Sequence, residues 1–502
     1  MAIKIIMLVV FFAVMLGIGF YCRGHAKDVN GFVLGGRGVG PWLTAFAYGT
    51  SYFSAVVFIG YAGQFGWKFG LAATWIGVGN AVIGSLLAWI ILGKRTRRMS
   101  QTLKSATMPE FFGARFNSKS LKIAASVITF VFLIPYTASL YNGLSRLFGM
   151  AFNIDYVVCV IIMAALTGVY VIVGGYMATA INDFIQGIIM LFGIVAVVVA
   201  VLNGKGGLVT AIHSMGQISD PSAGTGSFAS IFGPSPLNLL GVVILTSLGT
   251  WGLPQMVAKF YAIKDDRAIK TGTVISTIFA LIVAGGCYFL GGFGRLFADK
   301  IDIKANGYDS IIPAMLNGLP DILIGIVVIL VLSASMSTLS SLVLTSSSTI
   351  TIDIINDSKK EKMSDRQQVS MIRLFIVIFI ILSVLIAVVQ YNSNITFIAQ
   401  LMGISWGALA GAFLVPFLYG LFWKKATSTA CWVNFIFSVT FMLIVLFANL
   451  AKVSVFPPLI QSPINAGAIC MVAGFIIVPV VSSFTRRPDT EIVDKAFSRP
   501  DK

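Results

Sequence analysis

The sequence predicts an all-α integral membrane protein of about 13 transmembrane helices around a 5+5 inverted-repeat core, and three observations lead there. The 502 residues are 57% hydrophobic and 11% charged, with a mean hydropathy of +0.92, whereas soluble proteins average about 25% charged. Apolar residues gather in runs of about 20, the length that crosses a bilayer core. The basic residues concentrate in alternate loops between those runs. So little chain is left outside the runs that no large soluble domain fits, which excludes soluble enzymes and nucleic-acid-binding domains.

The runs lie near 2–21, 41–63, 70–93, 123–145, 155–173, 182–203, 237–258, 271–294, 319–348, 371–390, 395–422, 427–450 and 464–484. The first is followed directly by Arg23 and Lys27 without a small-residue cleavage site, so it reads as a permanent helix rather than a signal peptide. With the N-terminus outside, the loops after the odd-numbered runs are cytoplasmic. They carry Lys94, Arg95, Arg97, Arg98, Lys104, Arg115, Lys119 and Lys122, then Lys264, Arg267 and Lys270, then Lys359, Lys360, Lys362 and Arg366. Roughly 27 of the 35 basic residues fall inside on this count. The net charge of +16 is therefore mostly topological, and a nucleic-acid partner is not expected. The expected location is the plasma membrane, with the C-terminal tail cytoplasmic.

Cys22, Cys159, Cys287, Cys431 and Cys470 lack CxxC spacing, so neither a disulfide framework nor a zinc site is indicated. His25 and His213, the only histidines, fall in loops, which leaves no histidine proton relay. No phosphate-cradling GxxxxGK[ST] motif is present, which argues against a pump that hydrolyses its own ATP.

Polar residues at mid-span depth are the informative ones, because hydrocarbon penalises them. The ninth run reads Ser333-Ala334-Ser335-Met336-Ser337-Thr338-Leu339-Ser340-Ser341, and Ala334, Ser337, Thr338 and Ser341 stand at i, i+3, i+4 and i+7, one helix face. Any one of these serines could simply bond back to an i−4 carbonyl, but the cluster as a whole favours an ion site. In the second run, Tyr48-Gly49-Thr50-Ser51-Tyr52-Phe53-Ser54-Ala55 weakens the helix, and an unwound turn there frees carbonyls that a cation can satisfy. In the seventh run, Ser247-Leu248-Gly249-Thr250-Trp251-Gly252-Leu253-Pro254 interrupts the span; a plain proline kink is the competing reading.

The second and seventh runs lie five apart and each carries a Gly-Thr pair at its interruption, Gly49-Thr50 and Gly249-Thr250. Paired broken helices point to a midplane site in inverted-repeat transporters. The expected organisation is an extra N-terminal helix (1–22), a first repeat (41–203), a second repeat (237–422), two extra C-terminal helices (427–484) and a tail (485–502). Asp183 is the one membrane-associated carboxylate, placed by the runs at the start of the sixth, where it could serve only the helix dipole. Hydroxyls, carbonyls and at most one carboxylate suit a hard monovalent cation, Na⁺, better than zinc, calcium or protons.

At these residues the chain resembles the sodium/solute symporter family, which holds bacterial proline, pantothenate and sialic-acid carriers and the sodium/glucose transporters. The likeness spans the first 11 or so runs through Phe32-Val33-Leu34-Gly35-Gly36-Arg37, Thr107-Met108-Pro109-Glu110-Phe111 with Arg115-Phe116, Asn182-Asp183-Phe184-Ile185-Gln186 and Met336-Ser337-Thr338. The resemblance implies a LeuT-like fold and a main sodium site formed by the carbonyls of Thr50, Phe53 and Ala334 and the hydroxyls of Ser337 and Thr338. It also implies a second sodium site at Asp183, Ser337, Ser340 and Ser341, so one or two ions per cycle. The proline carriers have an acidic residue where Tyr52 stands and aromatic residues where Thr246 and Thr250 stand, and only Tyr136 matches. The sialic-acid carriers have threonines where Tyr52 and Val57 stand, and their helix-4 arginine has no counterpart between 123 and 145. The segments from Thr50 to Ala55, from Ile181 to Asp183 and from Gly252 to Asp265 are more similar to the pantothenate branch. The implied function is sodium-coupled import of a small organic solute, a carboxylate such as pantothenate or an amino acid such as proline, with Ser54, Tyr136, Thr250 and Trp251 as contacts. No enzymatic activity is expected. The partners expected are sodium, the solute and the bilayer, with the protein a monomer or weak homo-oligomer. A sodium-independent facilitator or channel, or a membrane sensor, are the alternatives on the same fold.

Overall fold

The computed structural model describes residues 2–152, 154–220, 224–393 and 398–498. The described residues are nearly all helical, with one isolated parallel bridge between Val39 and Ile263 as the extended pairing. In chain order the helices that build the membrane body are α1 (Ala2–Tyr21), α2 (Pro41–Tyr52), α3 (Val56–Thr102), α4 (Lys119–Phe152), α5 (Tyr156–Asn203), α6 (Pro236–Leu248), α7 (Pro254–Ala262), α8 (Asp266–Gly292), α9 (Asp321–Thr349), α10 (Asp365–Ser393), α11 (Ile398–Phe422), α12 (Ser428–Leu450) and α13 (Pro463–Phe484). The expected run at 395–422 begins outside the described residues, as does the end of the tail at 499–502.

Ten of the described helices are long and apolar enough to cross a membrane, and α6 with α7, bent by 40°, makes an eleventh. The thirteen apolar runs are not reproduced as thirteen separate helices. The third run lies within α3 together with the end of the second, and the fifth and sixth lie together within α5. These helices of 47 and 48 residues would be about 70 Å long if straight, against a hydrocarbon core of about 30 Å. Each carries a glycine at positive φ, Gly70 (φ 61°) and Gly175 (φ 57°), where the helix is interrupted.

Local signals place the ends. Pro41, Pro236, Pro254 and Pro463 each open a helix, where a missing N–H costs nothing. Asp265 caps α8 through the Ala268 N–H at 2.7 Å. Buried Arg115 closes the far end of α11 by donating to the carbonyls of Gly420 (2.9 Å) and Trp423 (3.1 Å), a cation at a helix C-terminus.

The centre of the body is α9, which packs against α5, α4, α2 and α1, while α8 covers α2 and α3. Residues 327–344 of α9 are buried throughout, so the helix has no lipid face and its hydroxyls meet only protein. The helices that pack around it leave little clearance. A Cβ on Gly66 of α3 would sit 2.0 Å from the Gly291 backbone of α8.

Gly175 has φ 57° and ψ −149°, a region essentially open to glycine alone, and an added Cβ would lie 2.9 Å from the Phe32 carbonyl. Gly175→Ala is expected to destabilise the protein by roughly 1–3 kcal/mol. A thermal-unfolding midpoint in detergent equal to that of the parent protein would show that the break does not constrain the chain.

Candidate functional site

The second run is broken where its composition is weakest. α2 stops at Tyr52, Phe53 is extended (φ −104°, ψ 97°), and the helix resumes with the Ser54 carbonyl accepting from the N–H groups of Val57 (3.0 Å) and Phe58 (3.1 Å). The seventh run is broken likewise: a short 3₁₀ turn at Gly249–Trp251 ends α6, and Leu253 is extended before α7 begins. The two breaks are joined through Tyr52, whose hydroxyl donates to the Thr246 carbonyl at 2.5 Å.

Opposite the first break stands the hydroxyl face of α9. The Thr50 carbonyl accepts from Ser337 Oγ at 3.1 Å and Thr338 Oγ1 at 3.2 Å, and the same two hydroxyls lie 3.2 and 3.1 Å from the Ala334 carbonyl. Four oxygens from two helices thus converge in a dry setting. Rotating the two hydroxyl protons outward turns the cluster into a set of neutral oxygen ligands, the donor set a hard monovalent cation prefers. Phe53 lines a small cavity with Ala334 and Ser54, and its ring stacks on Tyr52 at 4.3 Å.

Asp183 does not sit at a helix start. It lies two turns beyond the Gly175 break, fully buried, because helical residues run from Tyr176 where the apolar pattern suggested 182. Lys259 of α7 faces it, with Nζ 3.8 Å from Asp183 Oδ2 and 2.9 Å from Ser341 Oγ. Ser341 in turn shares a 2.7 Å hydrogen bond with Ser51 of α2. Ser340 turns back to its own helix and donates to the Ser337 carbonyl at 2.9 Å.

The four expected solute contacts separate into two pairs. Ser54 Oγ, Tyr136 OH and the Trp406 indole N–H are buried side by side, near enough to interact with one another, and none has a hydrogen-bond partner outside the group. Trp406 of α11 meets Tyr136 edge-on at 5.9 Å and stacks on Tyr52 at 6.1 Å. Thr250 and Trp251 have their donors engaged, with Thr250 Oγ1 at 3.1 Å from the Gly84 carbonyl and Trp251 Nε1 at 3.0 Å from that of Ile83. They tie the second break to α3.

Sequence reasoning missed Trp406, Asn80 and Lys259. Asn80 accepts from Thr246 Oγ1 (2.9 Å) and Ser247 Oγ (3.1 Å) beside the second break. A polar amide and an indole N–H deep in apolar runs were the available signals. Lys259 falls one residue past the seventh run at 237–258, beside the basic loop, so no mid-span signal marks it.

The two ends of the molecule differ. At the basic end, Arg37 donates to the Ser105 carbonyl (2.6 Å), Ser100 Oγ (3.2 Å) and the Tyr261 carbonyl (3.4 Å), and Arg97 donates to the Ile263 and Lys264 carbonyls. Thr107 donates to Asp353 at 2.7 Å, and Lys122 bridges Asp353 and Asp357. At the other end a vestibule of about 820 Å³ is lined by Gln64, Lys68, Asn238, Arg295 and Asn465 among others. The basic end is therefore sealed by side-chain contacts, the other end carries the vestibule, and the site residues between them are buried.

Comparison with known proteins bears on the family and the fold. A family model described as the sodium:solute symporter family matches residues 32–437. The chain is 30% identical over 498 residues to the osmoregulated proline transporter OpuE of Bacillus subtilis (strain 168), covering 97% of this chain and 96% of the relative. It is 31% identical over 433 residues to the sodium/proline symporter of Staphylococcus aureus (strain JH9), covering 84% and 81%. Its fold is similar to that of a Na⁺-coupled sialic acid symporter in a substrate-bound outward-open state, with a TM-score of 0.77 at 18% identity over 97% of this chain and 98% of that one. A nucleobase–cation symporter in a closed conformation is similar with a TM-score of 0.55 at 12% identity, over 94% and 98%.

Arg37 ties its own loop to the end of α3 and to α7 at the sealed end, so Arg37→Ala is expected to loosen it. With the native cysteines replaced, a cysteine placed at Thr345, which lines the cavity behind that seal, should react several-fold faster with a membrane-impermeant thiol reagent from the basic side. An unchanged rate would assign the seal to other contacts.

Proposed function

We infer the function of this chain from its family and its site together: it belongs to the sodium:solute symporter family and is a multi-pass membrane transporter that couples a small organic solute to sodium. The finer reading is that the solute is a small amino acid, proline first, and that sodium binds between α2 and α9 at Thr50, Phe53, Ala334, Ser337 and Thr338. The observation that carries the ion site is the convergence of the Thr50 and Ala334 carbonyls on the Ser337 and Thr338 hydroxyls across the broken helix. Proline is favoured by the two relatives described as proline transporters. Pantothenate, which shares the carboxylate, is the second reading, because Ser54, Tyr136 and Trp406 group three buried donors with no partner outside the group, an arrangement that suits a carboxylate.

In this reading the sealed basic end is cytoplasmic and the vestibule opens outside, in the plasma membrane. Sodium neutralises the exposed carbonyls at the first break and fixes the turn that carries Ser54, which completes the solute site. Solute bound between Ser54, Tyr136 and Trp406 draws α11 and the two breaks together. The Arg37, Arg97 and Lys122 contacts then separate and the site opens inward. Thr250 and Trp251 act through the position of the second break, since their donors bond α3. Coupling requires both ligands to favour the same arrangement, so each must raise affinity for the other by the same factor.

Radiolabelled proline uptake into proteoliposomes under an inward sodium gradient tests this, with unlabelled pantothenate as competitor. Uptake should collapse when the gradient is replaced by potassium. Ser337→Ala with Thr338→Ala removes two of the ion's oxygen ligands and should raise the sodium half-saturation by at least about 10- to 100-fold, the effect of losing even one contact to a charged group at about 1.5–3 kcal/mol. Tyr136→Phe should raise the solute half-saturation by about tenfold, the loss of one hydrogen bond of about 1.4 kcal/mol. Uptake indifferent to sodium would make the protein a facilitator or channel. Solute binding without transport would make it a sensor.

A further inference from the structure

The group around Asp183 contains a cation that belongs to the chain. Asp183 is 0% exposed and neither carboxylate oxygen has a hydrogen-bond partner; Lys259, 2% exposed, is its ion-pair partner among the described residues at 3.8 Å. A buried carboxylate needs a compensating positive charge, and either a bound metal ion or a side chain can supply it. The Lys259 ammonium is placed as such an ion would be. It reaches Asp183 Oδ2 on α5, Ser341 Oγ on α9 at 2.9 Å, and the face of the Tyr176 ring at 5.3 Å. A sodium ion held by Asp183 and Ser341 would share two ligands with this ammonium, in a buried setting where like charges are poorly screened.

The same ammonium is wired to the main ion site. Ser341 bonds Ser51, and Ser51 follows Thr50, whose carbonyl meets Ser337 and Thr338. Lys259 rides on α7, immediately after the second break, so a movement of that break displaces the ammonium from Ser341.

We propose that Lys259 is a resident, untransported cation that fills the position beside Asp183, so that the protein binds and carries one sodium ion, at the main site alone. The proposal rests on the sodium site inferred above. Equilibrium binding of radiolabelled sodium to the purified full-length protein is expected to saturate at one ion per chain. Lys259→Met vacates the position while keeping an apolar stem of similar length, and should raise the count to two. Lys259→Met with Asp183→Asn removes both charges and should return it to one.

Two ions bound by the parent protein, or one ion bound by a Lys259→Met protein that keeps its thermal-unfolding midpoint, would overturn the proposal and leave the main site standing. No sodium bound at all would instead overturn the main site, and the proposal with it. The reversal potential of the current driven by proline, a zwitterion of no net charge, through the unmodified protein gives the ion count without any substitution. One sodium per solute is expected, and two would overturn the proposal.

Discussion

A backbone carbonyl that has lost its helical partner inside a membrane must find another, because no water is there to replace it. That constraint organises this protein. The second span gives up helical geometry at Phe53, and the Thr50 carbonyl one turn earlier meets Ser337 and Thr338 instead of only its own helix. The fully buried middle of α9 follows from this need. A helix with a lipid face could not hold so many hydroxyls at that depth, and the packing of α5, α4, α2 and α1 around it keeps them in contact with protein.

A site built from neutral hydroxyls and carbonyls has a useful consequence for transport. In the proposed site no single group would hold a full opposite charge against the ion, so ligands from two helices can separate without leaving an uncompensated carboxylate behind. The carboxylate that is present, Asp183, stands apart and already has a partner in Lys259. On the proposed reading charge is kept where it stays paired, and the mobile ion is held by dipoles.

The two broken spans divide the work. The first carries the proposed ion ligands and, at Ser54, a donor of the proposed solute site. The second is bound to α3 through Thr250, Trp251 and Asn80, so its angle depends on how α3 sits. The seal at the basic end draws on the loops that follow α1, α3 and α7, through Arg37 and Arg97. Contacts among backbone carbonyls and guanidinium groups can be remade in water on that side, whereas the apolar body moves as packed units.

Much of this was legible in the residue order. Composition fixed the solvent and the Gly-Thr pairs marked both breaks, because these are local properties of a chain in lipid. The hydroxyl face of α9 was legible from helical spacing alone. Helix count was blurred where glycine at positive φ bends a continuous helical run, as at Gly70 and Gly175, since glycine in an apolar run also occurs in straight spans. What only the tertiary structure decided was partnership across helices: that Trp406 joins Tyr136 and Ser54, that Thr250 and Trp251 bond α3, and that Lys259 reaches Asp183 and Ser341. Those pairs are separated by scores of residues, and no periodicity within one helix encodes which face of a distant helix it will meet.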